Sequence, residues 1–267
     1  ETVLTLKKSK KENTGDSAQK VESFITKYRK IILTVFIILV AAAVAVCAVV
    51  LVNNKLKNDN LSAIYTIEQS YIDEVAAVEE KYSAEAKESS ETAEAEETEE
   101  TEEKAVELTE EEKAAKKAEK DAAVAKAIKA LGSYVSKSGV AGVRANMLAA
   151  GIYYDAGDFV SAQDCYLAAA SKDKKAYTYP VCYSNAASCA IELGNYKDAA
   201  SYFETAASVK GYLLASHDLF RYGMAMELAE DYKAAAKIYQ KVVDTYNDDW
   251  ANLAQTCLIK LSSSGKN

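Results

Sequence analysis

Three stretches in the second half of the chain repeat one order of small and aromatic residues. The first is Ala150-x2-Tyr153-x3-Gly157-x-Phe159-x2-Ala162-x3-Tyr166-x2-Ala169. The second is Ala187-x2-Ala190-x3-Gly194-x-Tyr196-x2-Ala199-x3-Phe203-x2-Ala206. The third is Gly223-x2-Met226-x3-Glu230-x-Tyr232-x2-Ala235-x3-Tyr239-x2-Val242. Ala162, Ala199 and Ala235 fall 37 and 36 residues apart, and a shortened fourth copy runs through Trp250, Leu253, Ala254 and Cys257. A repeat of this length means one supersecondary unit that cannot bury its apolar face alone, so neighbouring copies must stack. Each position has a packing reason. Ala150, Ala187 and Gly223 must be small where the two helices of a pair cross, and Ala162, Ala199 and Ala235 match them on the second helix. The aromatics at 159, 166, 196, 203, 232 and 239 fill the space between pairs. Gly157 and Gly194 end the first helix of their pairs, in left-handed geometry that glycine adopts without strain.

These segments resemble the tetratricopeptide repeat, a helix–turn–helix unit of 34 residues. The resemblance covers roughly 140–262, or 109–262 if the helix before it is the second half of a broken first repeat. It implies an all-α fold, a right-handed α-solenoid of helix pairs, with the first helices lining a concave groove. The chain departs from the pattern in three ways. The usual prolines between repeats are missing, with Pro180 expected just before a first helix. Glu230 replaces the turn glycine of the third copy. The period exceeds the standard by two or three residues, which predicts longer turns between pairs.

Composition agrees with an all-helical chain. There is one proline, where ordinary usage predicts about 13 in a chain of this length. Glycine is also scarce, at 10. Sandwiches and barrels need many Gly/Pro turns. The net charge of −8 offers no footprint for nucleic acid.

Ile31 to Val52 is 22 residues without a charge, IILTVFIILVAAAVAVCAVVLV. At 1.5 Å per residue it reaches about 33 Å, enough for a hydrocarbon core of about 30 Å. A cleaved signal peptide has an apolar region of only about 7–15 residues, so this segment reads as a retained transmembrane helix, 31–52. Val46 precedes Cys47 where a lipoprotein signal wants a small residue, and the apolar run continues past it. Lys7, Lys8, Lys10, Lys11, Lys20, Lys27, Arg29 and Lys30 come before the span, and only Lys55 and Lys57 just after. The positive-inside rule predicts a cytoplasmic basic tail, 1–30, and residues 53–267 outside. In a bacterium this is the inner (cytoplasmic) membrane, single-pass, with the repeat domain in the periplasm.

Beyond the span, Ile64, Ile67, Tyr71, Val75, Val78 and Tyr82 form one helical stripe, which predicts an amphipathic helix over 53–87. ESSETAEAEETEETEE (Glu88 to Glu103) has nothing apolar to bury and repels itself, so 88–108 is expected as a disordered insert or frayed helix. It lacks the turn glycine and fixed loop of a calcium site. Thr109 with Glu112 resembles a capping box opening a helix over 109–138 that packs back on 61–82. The repeat domain, with its C-terminal capping helix, then covers 139–267.

Little in the chain suggests chemistry. One histidine, His217, excludes multi-histidine metal sites and leaves one candidate base. No GxSxG, P-loop or dinucleotide motif is present, and no enzymatic activity, cofactor or metal is expected. Cys182 and Cys189 lie seven residues apart on one helix, about 10.5 Å along its axis, too far to bond. Cys165 could meet either across neighbouring helices in an oxidising compartment. The plainer reading of these and Cys257 is four small buried hydrophobes.

What remains for function is the groove. Helical phase places Arg144, Met147 and Tyr154 there from the first pair. Val181, Ser184 and Ile191 come from the second, and His217, Phe220 and Met224 from the third. Met and aromatic side chains adapt to varied peptides. Anchor, basic tail and outward repeats together resemble the membrane-anchored tetratricopeptide protein accessory to the Sec translocon, which bridges to periplasmic chaperones. KVVDTYNDDWANLAQTCLIKL also resembles the last repeat of envelope proteins that help outer-membrane assembly or cell division. The resemblance implies partners of translocon or chaperone type, with the bilayer held through 31–52. The groove lacks the Lys/Asn/Arg set by which chaperone-binding relatives hold a C-terminal carboxylate. The expected function is a membrane-anchored scaffold or adaptor, and the alternative is a structural part of a larger envelope machine such as a secretion or motility apparatus.

Overall fold

A computed structural model describes residues 13–93 and 108–265 and is all-α, with nine helices and no strand among them. The chain divides into two units, Glu1–Leu56 and Lys57–Asn267. Helix α1 (Asn13–Ala93) carries the first unit and supplies residues from 57 onward to the second. In it, Thr26–Ser83 is long and apolar enough to cross a membrane, and none of its most apolar window is buried. Thr34 within the apolar run donates its hydroxyl to the Lys30 carbonyl at 2.8 Å, so the one polar side chain there is satisfied without water. The helix continues to Ala93, taking in Glu88–Ala93 of the acidic tract, and 94–107 lie outside the described residues.

The second unit continues with α2 (Glu110–Val135), α3 (Gly139–Asp155), α4 (Phe159–Lys172), α5 (Thr178–Glu192), α6 (Tyr196–Ala207), α7 (Ala215–Leu228), α8 (Tyr232–Thr245) and α9 (Asp249–Ser263). Each packs on the next from α2 onward, and α7 also touches α9. Thr109 opens α2 with the expected capping box: its Oγ1 accepts from the Glu112 N–H, and Glu112 Oε2 accepts from the Thr109 N–H. Pro180 corrects one expectation. It lies inside the first turn of α5 and is buried, where its missing N–H has no intrahelical partner to lose.

The small residues sit at the crossings. Ala150 and Ala162 share one cluster with Tyr166, Ala187 and Ala199 another with Phe203, and Ala235 a third with Tyr239. All five alanines are fully buried. Burying rings such as Phe203 and Tyr239 contributes about 1.5–3 kcal/mol each, and small partners are what allow the rings to reach the crossing. Gly223 shows the tolerance most directly. A Cβ there would stand 2.5 and 2.7 Å from Cε1 and Cδ1 of the fully buried Tyr239 ring. Gly223→Ala is therefore expected to destabilise the unit by about 1–3 kcal/mol by overpacking, despite the gain of about 1 kcal/mol in helix propensity. A urea midpoint that rises instead would remove the close crossing.

The three turns within pairs are each three residues long and share one mechanism. Gly157, Gly194 and Glu230 adopt φ of 80°, 71° and 62°. The next N–H reaches back five residues: Asp158 to the Tyr153 carbonyl, Asn195 to Ala190, Asp231 to Met226. That closes the first helix as a Schellman motif. Asp158 and Asp231 then cap the second helix, their Oδ1 accepting from the Ser161 and Ala234 N–H groups, both at 3.0 Å. Glu230 takes the left-handed conformation without glycine's freedom. Glu230→Gly is expected to stabilise by about 0.5–1 kcal/mol, read as a higher urea midpoint with an unchanged slope.

Helix α1 over 61–82 packs on α2 and α3 through Leu61, Ile64, Ile67 and Tyr71, which meet Ala127, Leu131 and Leu148. Ion pairs run along the same seam: Lys126–Glu74 at 2.5 Å, Lys116–Glu79 at 2.6 Å, Lys120–Glu79, and Lys81–Glu119 at 2.6 Å. Tyr82 also donates to Glu119, at 3.0 Å. An open cleft of about 800 Å³ lies beside this seam, between Tyr71, Ile72 and Val75 and the lysines of α2. Hydrogen bonds from Lys126 hold Glu74 below the ordinary carboxylate range, those from Lys116 and Lys120 hold Glu79 there, and Lys81 and Tyr82 do so for Glu119. A lowered folded pKa means the contribution is complete above the unfolded value near 4.5 and is lost as pH falls below it. Hydrogen-exchange protection of 61–82 and 110–126, corrected for intrinsic rates, should drop below about pH 4.5 before that of α3–α9. Simultaneous loss across all helices would contradict this.

Candidate protein-binding groove

The first helices α3, α5 and α7 supply the nine residues that helical phase assigns to the groove. Met147, Tyr154, Val181, Ile191 and His217 are half-buried, and Arg144 and Met224 are exposed. Ser184 and Phe220 are buried instead. Phe220 lies under Tyr239 and Trp250, with ring centroids 5.6 Å from each. Arg144 is held by α1, its Nη2 donating to Glu68 Oε2 at 2.5 Å. Met147 packs against Ala169, Ala170 and Cys182. Tyr154 meets Phe159 edge-on at 5.1 Å. Burial first, and then the Glu192 charge, push its phenol pKa up, so it is a neutral hydroxyl at physiological pH.

Polar side chains join consecutive pairs beneath this surface. Ser184 Oγ on α5 donates to Asp218 Oδ1 on α7 at 2.9 Å, and His217 Nδ1 lies 2.8 Å from the same oxygen. Asp218 is fully buried, and its Oδ2 and the Tyr212 hydroxyl have no hydrogen-bond partner among the described residues. The His217 ring stands edge-on to Trp250 at 4.6 Å. Serine, histidine and aspartate thus converge without forming a catalytic relay, because the hydroxyl donates to the carboxylate rather than to the imidazole. Arg221 Nη1 donates to Ser188 Oγ at 3.1 Å, and its guanidinium lies 4.6 Å over the Phe203 ring. At the next junction Ser216 donates to Asp248, the cap of α9, at 3.0 Å. Ser188, Asp218, Arg221 and Trp250 were not among the phase-assigned residues. Asp218 and Arg221 have no counterpart in the other copies, where Ala145 and Cys182, and Leu148 and Asn185, hold those places, so the repeat carries no signal for them.

The five cysteines are unbridged. Cys182 and Cys189 are fully buried, and burial pushes both thiols up to about 11. Burial raises Cys165 and Cys257 as well. At neutral pH these are protonated, weakly nucleophilic groups.

Paired antiparallel helices, small residues at their crossings and polar links between pairs define an α-solenoid of helix–turn–helix units. The chain is similar to a TPR repeat-containing protein of Treponema pallidum (strain Nichols), 29% identical over 130 residues, or 48% of this chain and 54% of that protein. The chain thus matches only about half the length of that curated relative. No protein-family model matches the sequence. Fold and likeness agree: the paired helices and the matched half of the chain are similar to those of a tetratricopeptide-repeat protein.

Proposed function

We propose that this chain is a membrane-anchored adaptor that binds a segment of another envelope protein along its first-helix groove. One observation carries the reading. Met147, Tyr154, Val181, Ile191 and Met224 recur on successive first helices and stay partly open to solvent, while Met147, Tyr154 and Ile191 also pack by one side on the core. Side chains of this kind adapt to an apolar peptide face. In this reading 31–52 spans the inner membrane, 1–30 stays in the cytoplasm and the repeats face the periplasm. The amphipathic helix 53–87 and the acidic insert 88–108 precede 109–138, the second half of a broken first repeat, and the repeats proper occupy 139–267. The partner is of translocon or chaperone type. Anchoring beside it raises its effective concentration without new contacts.

The test is photocrosslinking in the intact envelope. A photoreactive residue at Met147, Tyr154 or Met224 should capture one and the same protein, and one at Lys237 on α8 should not. Tyr154→Ala with Met224→Ala should weaken recovery of that protein by at least about fivefold, as expected when interface anchors are truncated. Capture of the same protein from Lys237, or recovery unchanged by the double variant, would reject the groove.

A further inference from the structure

The turns between pairs and the start of α3 carry a second pattern, with the same period as the core. Val140, Tyr177 and Leu213 are 37 and 36 residues apart and hold one place in the repeat, ten residues before Ala150, Ala187 and Gly223. A core position would be buried at this period, yet these are 52%, 88% and 96% exposed. Leu214 beside Leu213 is also exposed. Three residues before each stands a lysine: Lys137, Lys174 and Lys210. None of the three forms an ion pair with any described residue, and Lys175 adds a second exposed ammonium beside Tyr177.

Helices that alternate in direction put all turns between pairs on one edge of a solenoid and all turns within pairs on the other. The two edges differ in chemistry. The turns 136–138, 173–177 and 208–214 hold Lys137, Lys174, Lys175 and Lys210 against Asp173, and the last turn on that edge, 246–248, adds Asp248. The opposite edge holds Asp155, Asp158, Glu192, Glu230 and Asp231, with Lys197 and Lys233 at the starts of α6 and α8. A chain of net charge −8 has therefore gathered lysines without carboxylate partners beside exposed apolar side chains on one edge, Lys137 lying 5.7 Å over the Tyr134 ring and Lys174, Lys175 and Lys210 exposed. Basic side chains flanking inserted aromatic and aliphatic ones suit a bilayer interface, with ammonium groups at lipid phosphates and apolar tips at the acyl boundary. The chain also enters this unit on that edge, since Leu61 and Ile64 pack with Leu131 and Val135 at the end of α2, next to the first of these turns. Lys57 follows Val52 by five residues, a covalent reach of at most about 18 Å.

We infer that this lysine-and-apolar edge is an interfacial docking surface for an anionic lipid bilayer, formed by Lys137/Val140, Lys174/Lys175/Tyr177 and Lys210/Leu213/Leu214. Its nearness to lipid rests on the anchor reading above. Docked there, the repeats lie against the membrane with the acidic edge outward.

The test uses the full chain in vesicles of phosphatidylcholine alone or mixed with phosphatidylglycerol. An environment-sensitive fluorophore is attached at Leu213→Cys in a Cys47→Ala background, with Lys197→Cys, at the start of α6 near the opposite edge, as the reference. Unsubstituted Cys47→Ala chain corrects for labelling of other thiols. With phosphatidylglycerol, lipid-borne nitroxide should quench the Leu213 probe about threefold more than the Lys197 probe, and far less with phosphatidylcholine alone. Lys174→Glu with Lys210→Glu should lower the docked-to-free ratio at least about tenfold with helicity unchanged. Flotation separates the two readings. If the chain floats with both vesicle types but the Leu213 probe is quenched no more than the Lys197 probe, the docking edge is overturned and the anchor stands. If it floats only with phosphatidylglycerol and the Leu213 probe is quenched, the anchor falls and the edge stands. If it floats with neither, both fall. A blue shift at Leu213 without lipid quenching means that another protein, a second copy included, covers the edge, and the inference is overturned.

Discussion

Close approach of two backbones at an alanine-lined crossing is the constraint on which the repeat unit depends. Ala150 with Ala162 and Ala187 with Ala199 remove side-chain bulk at the point of contact. Gly223 leaves a gap that the Tyr239 ring fills to within a Cβ's radius. The aromatic rings are consequences of that closeness. Tyr166, Phe203 and Tyr239 are buried because each stands one helical turn beyond a small residue and projects into the next pair. Burial drives Tyr239 to keep its hydroxyl neutral and donating, here to Glu227 at 3.1 Å, and Glu227 in turn accepts from Lys260 of α9 at 3.3 Å.

Apolar stacking alone leaves the register between pairs soft, because small residues slide past one another with little penalty. Directional bonds remove that freedom. Asn146 donates to the carbonyls of Val135 and Gly142, tying α3 to the end of α2. Ser184–Asp218, Arg221–Ser188 and Ser216–Asp248 tie the later pairs. Each connects residues about one repeat apart, and a slip of one helical turn would leave a buried donor or acceptor unmet. The seam between α1 and α2 is built differently. It adds to the buried Ile64–Leu131 cluster a row of long side chains and exposed ion pairs, which contribute little individually and weaken in salt, so its outer part is the most open to displacement.

Most of this architecture was legible in the sequence because its signals were steric. The small-residue crossings, the left-handed turns at Gly157 and Gly194 and the Thr109 capping box follow from local rules that burial does not override. The groove was only partly legible. Helical phase says which side of its own helix a residue faces, not what the next helix lays over that side. Phe220 therefore pointed to the groove by phase and is covered by Trp250 from α9. Ser184 is drawn under α7 by Asp218, a carboxylate that occurs in one copy and leaves no periodic trace. Pro180 was displaced by a few residues for the reason that prolines mislead generally: the first turn of a helix tolerates them as well as the residue before it does.

The extra residues per period show where the repeat can absorb change. Turns within pairs stay at three residues because the same short stretch must close one helix, pass through a left-handed residue and open the next. Nothing so strict binds the turns between pairs, which are 136–138, 173–177, 208–214 and 246–248. Additional length has gone there, and in the two longer ones it displays Tyr177, Leu213 and Leu214 rather than the polar residues that solvent alone would favour. Exposed apolar side chains recurring at the core's own period are costly for solubility, and their lysine neighbours fit a charged apolar boundary better than bulk water. In the proposed reading, groove and edge divide the labour by geometry: the first helices are left free for a peptide, and the turns between pairs fix which way that surface faces.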